Sequence, residues 1–441
     1  MQGELRRKDK VIAFLLGIVV GVVILAVGLY QIPYVQNRLG WRIDFAMAFV
    51  RGIIDPVRPM PTPVMASSGS SNVNGGQGAD AEANIMEPTH LPTPTITQSP
   101  TIASTGTLMP TATQAPTLPP TPIPARVELP VPAYEKQDPN NCGPATLTMH
   151  LRFYGWQGNQ STIASLIKPK TADRNVNVEE LAAYVNTKVP GLEIQYRVGG
   201  DIDMLKRLLA AGFPVTIEEA FIMAESYWYN DDRWSGHYLL LTGYDDARQQ
   251  FTAQDVFVGP NIGVSYKMVD KNWKAFNRVY IILYPPEQRE QVQAILGDQW
   301  DVDANRQHAL DVAQQETTAD STDSYAYFNM GTNLVYFEKY SQAAAAYDQA
   351  RKIGLPQRML RYQFGPFFAY FHTDRIDDLL ALTEYALKRT PNSEEALMWR
   401  GWAMYRKGDK EQATKLFQSA LDAREGNYQD AEYGLTFVRD H

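Results

Sequence analysis

The chain has 441 residues, of which 44% are hydrophobic and 20% are charged, which is enough for about two or three folded units. Its formal net charge of −8 argues against a nucleic-acid partner, because phosphate binding needs a basic surface. Cys142 is the only cysteine, so an intrachain disulfide and a zinc site built on several thiolates are excluded. We therefore predict no metal site and no cofactor.

The N-terminal region carries the features of a membrane anchor. Residues 11–29 contain no charged side chain and are long enough to cross about 30 Å of hydrocarbon as a helix. A basic flank on residues 6–10 favours the cytoplasmic side. We therefore predict a cytoplasmic tail at 1–10, a transmembrane helix at 11–29, and a single-pass protein with the bulk of the chain extracytoplasmic. A cleaved signal peptide is the alternative.

The next two segments are predicted to connect this anchor to the folded part. Residues 30–59 form a juxtamembrane segment, in which 41–54 either lie along the membrane as a helix or belong to a stalk. Residues 60–130 are rich in proline and threonine and have few large apolar side chains. Such a composition predicts a disordered linker, which glycosylation would extend into a spacer.

Residues 131–288 are predicted to form an α+β domain, because most helical patterns come early and most strand patterns late. Helices are predicted at 145–154, 178–186 and 202–211, and strands at 193–198, 214–218, 238–243, 250–253 and 278–284. Residues 289–322 are polar and are predicted to be a helical connector.

Residues 323–441 contain an internal repeat. Gly331, Gly365 and Gly401 recur at spacings of 34 and 36 residues. The pattern resembles tetratricopeptide repeats, which are helix-turn-helix units of about 34 residues. The middle copy departs, because it needs a two-residue insertion near 372–375 and has Pro366 inside its first helix. The resemblance implies an all-α domain that binds a protein partner or substrate, or one that only packs against a neighbouring domain.

Cys142 lies where a reactive thiol is favoured. Asn141 is a good N-cap residue and Pro144 is tolerated in a first helical turn, so Cys142 falls at the positive end of a predicted helix. A helix N-terminus lowers the pKa of a thiol and so favours the nucleophilic thiolate. The alternative is a buried cysteine that acts as a small apolar residue.

Of the six histidines, only His150 and His237 fall within 131–288. His150 is eight residues further along the helix of Cys142, about 12 Å away at 1.5 Å per residue, so it cannot reach the sulfur. His237 opens a predicted strand, and Asp255 follows the next one. Adjacent antiparallel strands would place His237 beside Asp255, whose carboxylate would orient the imidazole.

Gln137 precedes Cys142 by five residues. Its amide could donate to a developing oxyanion beside the backbone N–H of Cys142. The acidic and aromatic segment 218–234 lies just before His237. Its aromatic residues either line a substrate cleft or pack a surface loop onto the repeats. The three that we assign tentatively to substrate binding are Trp228, Tyr229 and Trp234.

The order Gln137, Cys142, His237 and Asp255 resembles the bacteriocin-processing peptidases and their C39-like relatives, which are papain-like cysteine peptidases. Gly-Pro after the cysteine and glycine before the histidine add to the likeness, which covers roughly 131–285. The resemblance implies a papain-like α+β fold. It also implies a nucleophile at Cys142, a general base and acid at His237, an orienting carboxylate at Asp255, and an oxyanion-hole donor at Gln137.

Two features depart from these relatives. No GxxxxGK[ST] motif occurs, so no ATP-binding cassette is predicted, and Val256 stands where relatives often have proline. The sequence as a whole predicts a membrane-anchored, extracytoplasmic cysteine peptidase that hydrolyses peptide bonds by a Cys-His-Asp mechanism, with the repeats recruiting a protein substrate or partner. The alternatives are a non-catalytic peptide-binding scaffold, and an acyl transferase or amidase with the same triad.

Overall fold

The computed structural model describes residues 33–56, 58–63, 123–169, 175–226, 228 and 231–441, together with positions 14, 17, 18, 20–22, 24, 25 and 28. The predicted basic tail, part of the predicted transmembrane segment and most of the predicted linker lie outside the described residues. The chain divides into two compact units, of which the first contains residues 1–63 and 125–441 and the second residues 64–124.

The predicted single-pass topology, with the bulk of the chain extracytoplasmic, is corrected by the structure. Among the described residues, no helix combines the length and the apolar character that crossing a membrane requires. Helix α1 (Pro33–Ile54) has 22 residues, but charged residues interrupt its sequence. These residues are Arg38, Arg42, Asp44 and Arg51.

A single antiparallel sheet organises the α+β domain. Its strands run in the order β2-β7-β3-β4-β5-β6, and the short strand β1 pairs with the far end of β4. The strands are β1 (Arg126–Glu128), β2 (Glu193–Arg197), β3 (Val215–Ile222), β4 (Trp234–Asp245), β5 (Gln250–Asp255), β6 (Gly259–Ser265) and β7 (Tyr280–Tyr284). β4 is the longest, so its first half pairs with β3 and its second half with β1 and β5.

Helices cover both faces of this sheet, because side chains of alternating residues on each strand point to opposite faces. Leu239 and Leu241 of β4 pack with α5 and α6, whereas Leu240 packs with α2. The helices are α2 (Cys142–Phe153), α3 (Gln160–Ile167), α4 (Val178–Lys188), α5 (Ile202–Ala210), α6 (Tyr266–Trp273) and α7 (Arg289–Leu296). The predicted α+β class is confirmed.

The C-terminal region consists of antiparallel helix pairs and a final helix. They follow the predicted connector, which forms helix α8 (Val302–Ala319). The helices are α9 (Ser324–Tyr336), α10 (Tyr340–Ile353), α11 (Gly365–His372), α12 (Ile376–Arg389), α13 (Glu394–Arg406), α14 (Lys410–Ala423) and α15 (Gln429–Asp440). This arrangement agrees with the predicted repeats.

The recurrent glycines allow the paired helices to approach closely. A Cβ on Gly331 would lie 2.7 Å from the ring of Tyr347, and one on Gly401 would lie 2.9 Å from the ring of Phe417. Pro366 does not interrupt a helix, because α11 begins at Gly365 and the proline sits in its first turn, where no intrahelical N–H is needed. The middle copy is irregular for this reason: its first helix is only eight residues long.

The α+β domain and the helical C-terminal region share one apolar core, so they are not connected by a flexible joint. Buried side chains of α2 and β7 belong to the same cluster as those of α9 to α14. Asn305 of α8 donates to the carbonyl of Val198 (2.8 Å) and accepts from its N–H (3.0 Å). Asn277 donates to Asn333 of α9 (2.9 Å). These buried polar contacts fix the orientation of the repeats on the α+β domain.

The close packing of α8 on residue 199 can be tested by substitution. Gly199 has a φ of +66°, and a Cβ there would lie 2.7 Å from Ala309. Gly199→Ala should lower the free energy of unfolding by about 2–4 kcal/mol, through backbone strain together with overpacking. Urea denaturation, followed by circular dichroism, measures the change.

The matched control is Gly191→Ala, because Gly191 also has a positive φ (+89°) but nothing within 4 Å of the added Cβ. Gly191→Ala should lower the free energy of unfolding only by the backbone strain, about 1–2 kcal/mol. The unsubstituted chain should unfold in one transition because of its shared core. Equal losses for the two variants, or two separate transitions, would contradict the described docking.

Candidate active site

The loop ahead of α2 is held by two side chains that follow that helix. The Gln160 side-chain oxygen accepts from the Asp138 N–H (2.8 Å) and from the Asn141 amide (2.7 Å), and its nitrogen donates to the Lys136 carbonyl (2.8 Å). The Lys168 ammonium donates to the Asn140 carbonyl (2.5 Å). The position of the first residue of α2 is therefore fixed from outside the helix.

Cys142 is the first residue of α2, as predicted, and it is partly exposed. Asn141 is the N-cap residue, but its side chain bonds to Gln160 instead of capping the helix. Gly143 lies where a Cβ would come within 3.3 Å of Val176 and 3.4 Å of the ring of Tyr238. The glycine thus allows the start of α2 to approach strand β4.

His237 lies near the start of β4, and its Nε2 is 2.9 Å from Oδ1 of Asp255, at the end of β5. The predicted adjacency of these two side chains is present in the structure. The same carboxylate oxygen accepts the backbone N–H groups of Phe257 (2.7 Å) and Val258 (3.0 Å). Three donors therefore hold the carboxylate and lower the pKa of Asp255, although burial opposes this.

The imidazole of His237 and the thiol of Cys142 interact, and each shifts the pKa of the other. Burial raises the pKa of Cys142, but the hydrogen bond and charge of His237, with the charge of Lys168, outweigh it and leave that pKa lowered. Burial lowers the pKa of His237, but its hydrogen bonds to Asp255 and Cys142 raise it overall. This combination shifts the pair towards a thiolate and an imidazolium.

Gln137 lies on the strand-like segment that runs beside the end of β5. Its N–H donates to the Val256 carbonyl (2.9 Å), and the hydroxyl of Tyr134 donates to the Asp255 carbonyl (2.9 Å). The side-chain oxygen of Gln137 is buried and has no hydrogen-bond partner among the described atoms. Val256, which replaces a proline common in relatives, is itself buried against α2 and anchors this segment.

The structure corrects the tentative assignment of Trp228 and Trp234 to a substrate cleft, and Tyr229 lies outside the described residues. Both indoles are 4% exposed. Trp234 stacks on Phe276 with ring centroids 5.7 Å apart, and Trp228 lies under the guanidinium of Arg358, 4.5 Å from the ring centroid. The aromatic segment therefore packs onto the repeats.

His150 is fully buried in the last turn of α2, and its Nδ1 is 2.9 Å from the Thr216 hydroxyl of β3. Burial lowers the pKa of His150 to about 3, so the ring is neutral. This side chain joins helix and sheet and does not belong to the group around Cys142.

A buried carboxyl beside the candidate triad was not predicted. Glu219 of β3 lies opposite His237 in the β3–β4 register and is 5% exposed. Burial raises the pKa of Glu219 to about 8, while the charge of His237 lowers it and that of Asp255 raises it. The only sequence signal was a pair of acidic residues, Glu218 and Glu219, inside an apolar strand.

Exposed apolar side chains near the candidate triad were also not predicted. Phe257 and Val258 follow Asp255 directly and are 53% and 58% exposed, and Ile222 at the end of β3 is also exposed. The ring centroid of Phe221 lies 5.1 Å from that of His237 and 5.5 Å from that of Phe257. An apolar surface therefore borders the imidazole.

Residues 128–283 match the Peptidase_C39 like family. The predicted resemblance is thereby confirmed for this C39-like domain. No curated protein matches the chain.

Solved structures also resemble parts of the chain. One is a C39-like peptidase from Bacillus anthracis, at 16% identity over 36% of this chain and 97% of that one, with a TM-score of 0.29. Another is a double glycine motif protease from an AMS/PCAT transporter in complex with the leader peptide, at 17% identity over 36% and 94%, with a TM-score of 0.27. A third is YrrB, a TPR protein with an unusual peptide-binding site, at 15% identity over 33% and 88%, with a TM-score of 0.19.

The pairing of thiol and imidazole predicts the pH dependence of alkylation. Because the pKa of Cys142 is lowered, its thiolate should persist on the acid side of the ~8.5 of a free thiol and be lost only as pH falls through the lowered value. In His237→Ala burial still raises the pKa and only the smaller effects of Lys168 and the Tyr238 backbone still lower it, so the midpoint should rise towards ~8.5 or above. Iodoacetamide labelling against pH measures both midpoints.

His308→Ala is the control, because His308 lies on the connector helix α8, outside residues 128–283 of the C39-like domain. Its profile should match that of the unsubstituted chain. An unreactive thiol, or the same midpoint with and without His237, would contradict the described pairing.

The raised pKa of Glu219 predicts a loss of stability as pH rises. The folded chain holds this proton up to about pH 8, whereas the unfolded chain releases it near ~4.3, so the free energy of unfolding falls between these values. Glu219→Gln removes this titration, so above pH 8 its free energy of unfolding should exceed that of the unsubstituted chain by up to about 5 kcal/mol.

Urea denaturation at pH 5 and at pH 8.5 measures this difference. Glu225→Gln serves as the control, because Glu225 is an exposed glutamate that follows the same strand. The idea is refuted if the Glu219→Gln variant gains no stability over the control between the two pH values.

Proposed function

We propose that the chain is a cysteine peptidase that cleaves peptide bonds through an acyl-enzyme formed on Cys142. The observation that carries the proposal is the series Cys142, His237 and Asp255, in which the imidazole shifts the pKa of the thiol and its Nε2 lies 2.9 Å from Oδ1 of Asp255. The match of residues 128–283 to the Peptidase_C39 like family supports it. The series joins a nucleophile, a base and an orienting group, which is the combination that acyl transfer requires.

In the first half of the reaction, the Cys142 thiolate attacks the carbonyl carbon of the scissile amide. The tetrahedral intermediate collapses when the His237 imidazolium gives its proton to the leaving amine nitrogen. The amine product departs, and the acyl group stays on sulfur as a thioester. Asp255 holds the ring in one orientation and stabilises its positive charge until the proton is transferred.

In the second half, the neutral His237 takes a proton from water while the water oxygen attacks the thioester carbonyl. The second tetrahedral intermediate releases the carboxylic acid and restores the thiolate and the imidazolium. If an amine or another nucleophile replaced water, the same residues would perform acyl transfer. Hydrolysis is proposed here because it needs no second substrate.

Gln137 is proposed to donate its amide to the oxyanion of both intermediates, together with the backbone N–H of Cys142. Its segment is tied to the end of β5 through Val256, which supports a fixed position relative to Asp255. Such a donor acts on charge that develops only in the transition state.

The substrate is proposed to be a peptide with an apolar side chain near the scissile bond. Phe257, Val258 and Ile222 give the rim of the site an exposed apolar surface. Burial of one large apolar side chain there would contribute about 1.5–3 kcal/mol to binding. The repeats, which share a core with the C39-like domain, are proposed to bind a protein partner or the substrate's remote part.

The proposal is tested by incubating the full chain with a peptide library in H₂¹⁸O and sequencing the products by mass spectrometry. Hydrolysis should place one ¹⁸O in each new C-terminal carboxyl group. Cys142→Ala should abolish cleavage, Asp255→Asn should slow it by about 10²–10⁴-fold, and Gln137→Ala by about 10²–10³-fold.

His308→Ala serves as the folded control and should cleave normally. Products capped by an added amine, without ¹⁸O, would assign acyl transfer instead of hydrolysis. Cleavage that persists in Cys142→Ala, or a labelled thiol with no cleavage of any peptide, would refute the proposed peptidase.

A further inference from the structure

Residues 58–63 cross the repeats as an extended peptide. Their sequence is Arg-Pro-Met-Pro-Thr-Pro, with proline at every second position, and they form no regular secondary structure. Each proline fixes φ near −65° and removes a backbone donor, so the segment is pre-organised and presents mainly carbonyl groups. A pre-organised peptide loses little conformational entropy when it binds.

Three contacts hold this segment. Arg351 of α10 donates from Nε (3.0 Å) and Nη2 (2.6 Å) to the carbonyl of Pro61. The hydroxyl of Tyr385 on α12 donates to the carbonyl of Arg58 (2.9 Å). Met60 is 6% exposed and belongs to the apolar core that the repeats share with the C39-like domain. The recognition therefore combines two backbone carbonyls with one apolar side chain.

The guanidinium of Arg351 is positioned so that it requires a hydrogen-bond acceptor where the carbonyl of Pro61 lies. Its side chain is fully buried, and its Nη1 is oriented by the hydroxyl of Tyr370 (2.8 Å) and the carboxylate of Asp378 (3.0 Å). Among the described contacts, the carbonyl of Pro61 is the acceptor for the other two nitrogens. In the occupied site the Pro61 carbonyl thus satisfies two donors of a buried guanidinium, which would be costly to bury without an acceptor.

We propose that Arg351, Tyr385 and the apolar contact of Met60 form a peptide-binding site on the repeats, specific for an extended segment with alternating prolines, and that residues 58–63 are its ligand in cis. The site recognises the backbone carbonyl oxygens of a segment whose prolines lack the N–H groups that regular secondary structure needs. It is separate from the residues assigned to catalysis, so the inference stands or falls independently of the proposed peptidase activity.

The test uses the full chain and a fluorescein-labelled peptide, Arg-Pro-Met-Pro-Thr-Pro, with binding followed by anisotropy. In the unsubstituted chain the cis segment competes at an effective concentration of the order of mM, so the free peptide should bind weakly. Met60→Asp places a charge in the apolar contact and releases the cis segment. The Kd of the peptide should then fall at least about tenfold.

Further variants are made in the Met60→Asp background. Tyr385→Phe removes only the hydroxyl and should weaken peptide binding about fivefold. Arg351→Met should abolish binding. Tyr433→Phe removes an exposed tyrosine hydroxyl from α15 and is the matched control, which should leave the Kd unchanged. Tyr385→Phe carries the test if Arg351→Met does not fold.

The peptide Arg-Ala-Met-Ala-Thr-Ala tests the role of the prolines and should bind at least about tenfold more weakly. The inference is overturned if Met60→Asp does not tighten binding of the labelled peptide. It is overturned equally if Tyr385→Phe and Tyr433→Phe have the same effect, or if the peptide without proline binds as well.

Discussion

The hydrogen bond between the imidazole of His237 and the carboxylate of Asp255 is the contact on which the candidate site depends. Strands β4 and β5 bring the two residues to the same end of the sheet, and a register shift near the end of β5 leaves Asp255 beyond the regular ladder. There its carboxylate also accepts two backbone N–H groups of the following turn. These bonds fix the imidazole. The position of Cys142 on the other side of the ring then depends on the loop that Gln160 and Lys168 hold.

The sequence was sufficient for this group because few residues were available. One cysteine and six histidines left His237 as the partner that helix geometry allowed, and strand adjacency then selected Asp255. The supporting residues carried no local signal: Gln160 and Lys168 are single polar residues, and their role follows from tertiary contacts. The sequence around a lysine or a glutamine in a polar segment does not indicate whether its side chain holds a distant loop.

The aromatic segment shows where pattern alone is insufficient. An acidic and aromatic composition fits a cleft and a domain interface equally well. The outcome depends on Arg358, more than a hundred residues away in sequence, which pairs with Asp231 and donates to the carbonyl of Trp234 (2.6 Å). The repeats were predictable for the opposite reason, since Gly331 and Gly401 act through neighbours about 16 residues away within one helix pair. The single-pass topology was predicted from the uncharged residues 11–29. The sequence of α1, which follows them, is interrupted by charged residues.

The contacts of residues 58–63 determine whether the proline- and threonine-rich stretch would carry a mechanical load between α1 and the folded body. Its two flanks, residues 58–63 and strand β1, both belong to the same compact unit. Tension applied to α1 would therefore be carried by the packing of Ala48 on Trp228 and by the contacts of Arg351 and Tyr385, ahead of the stretch itself. Lengthening or shortening the stretch would leave the attachment of residues 58–63 unchanged, because both flanks of the stretch are held by the folded body.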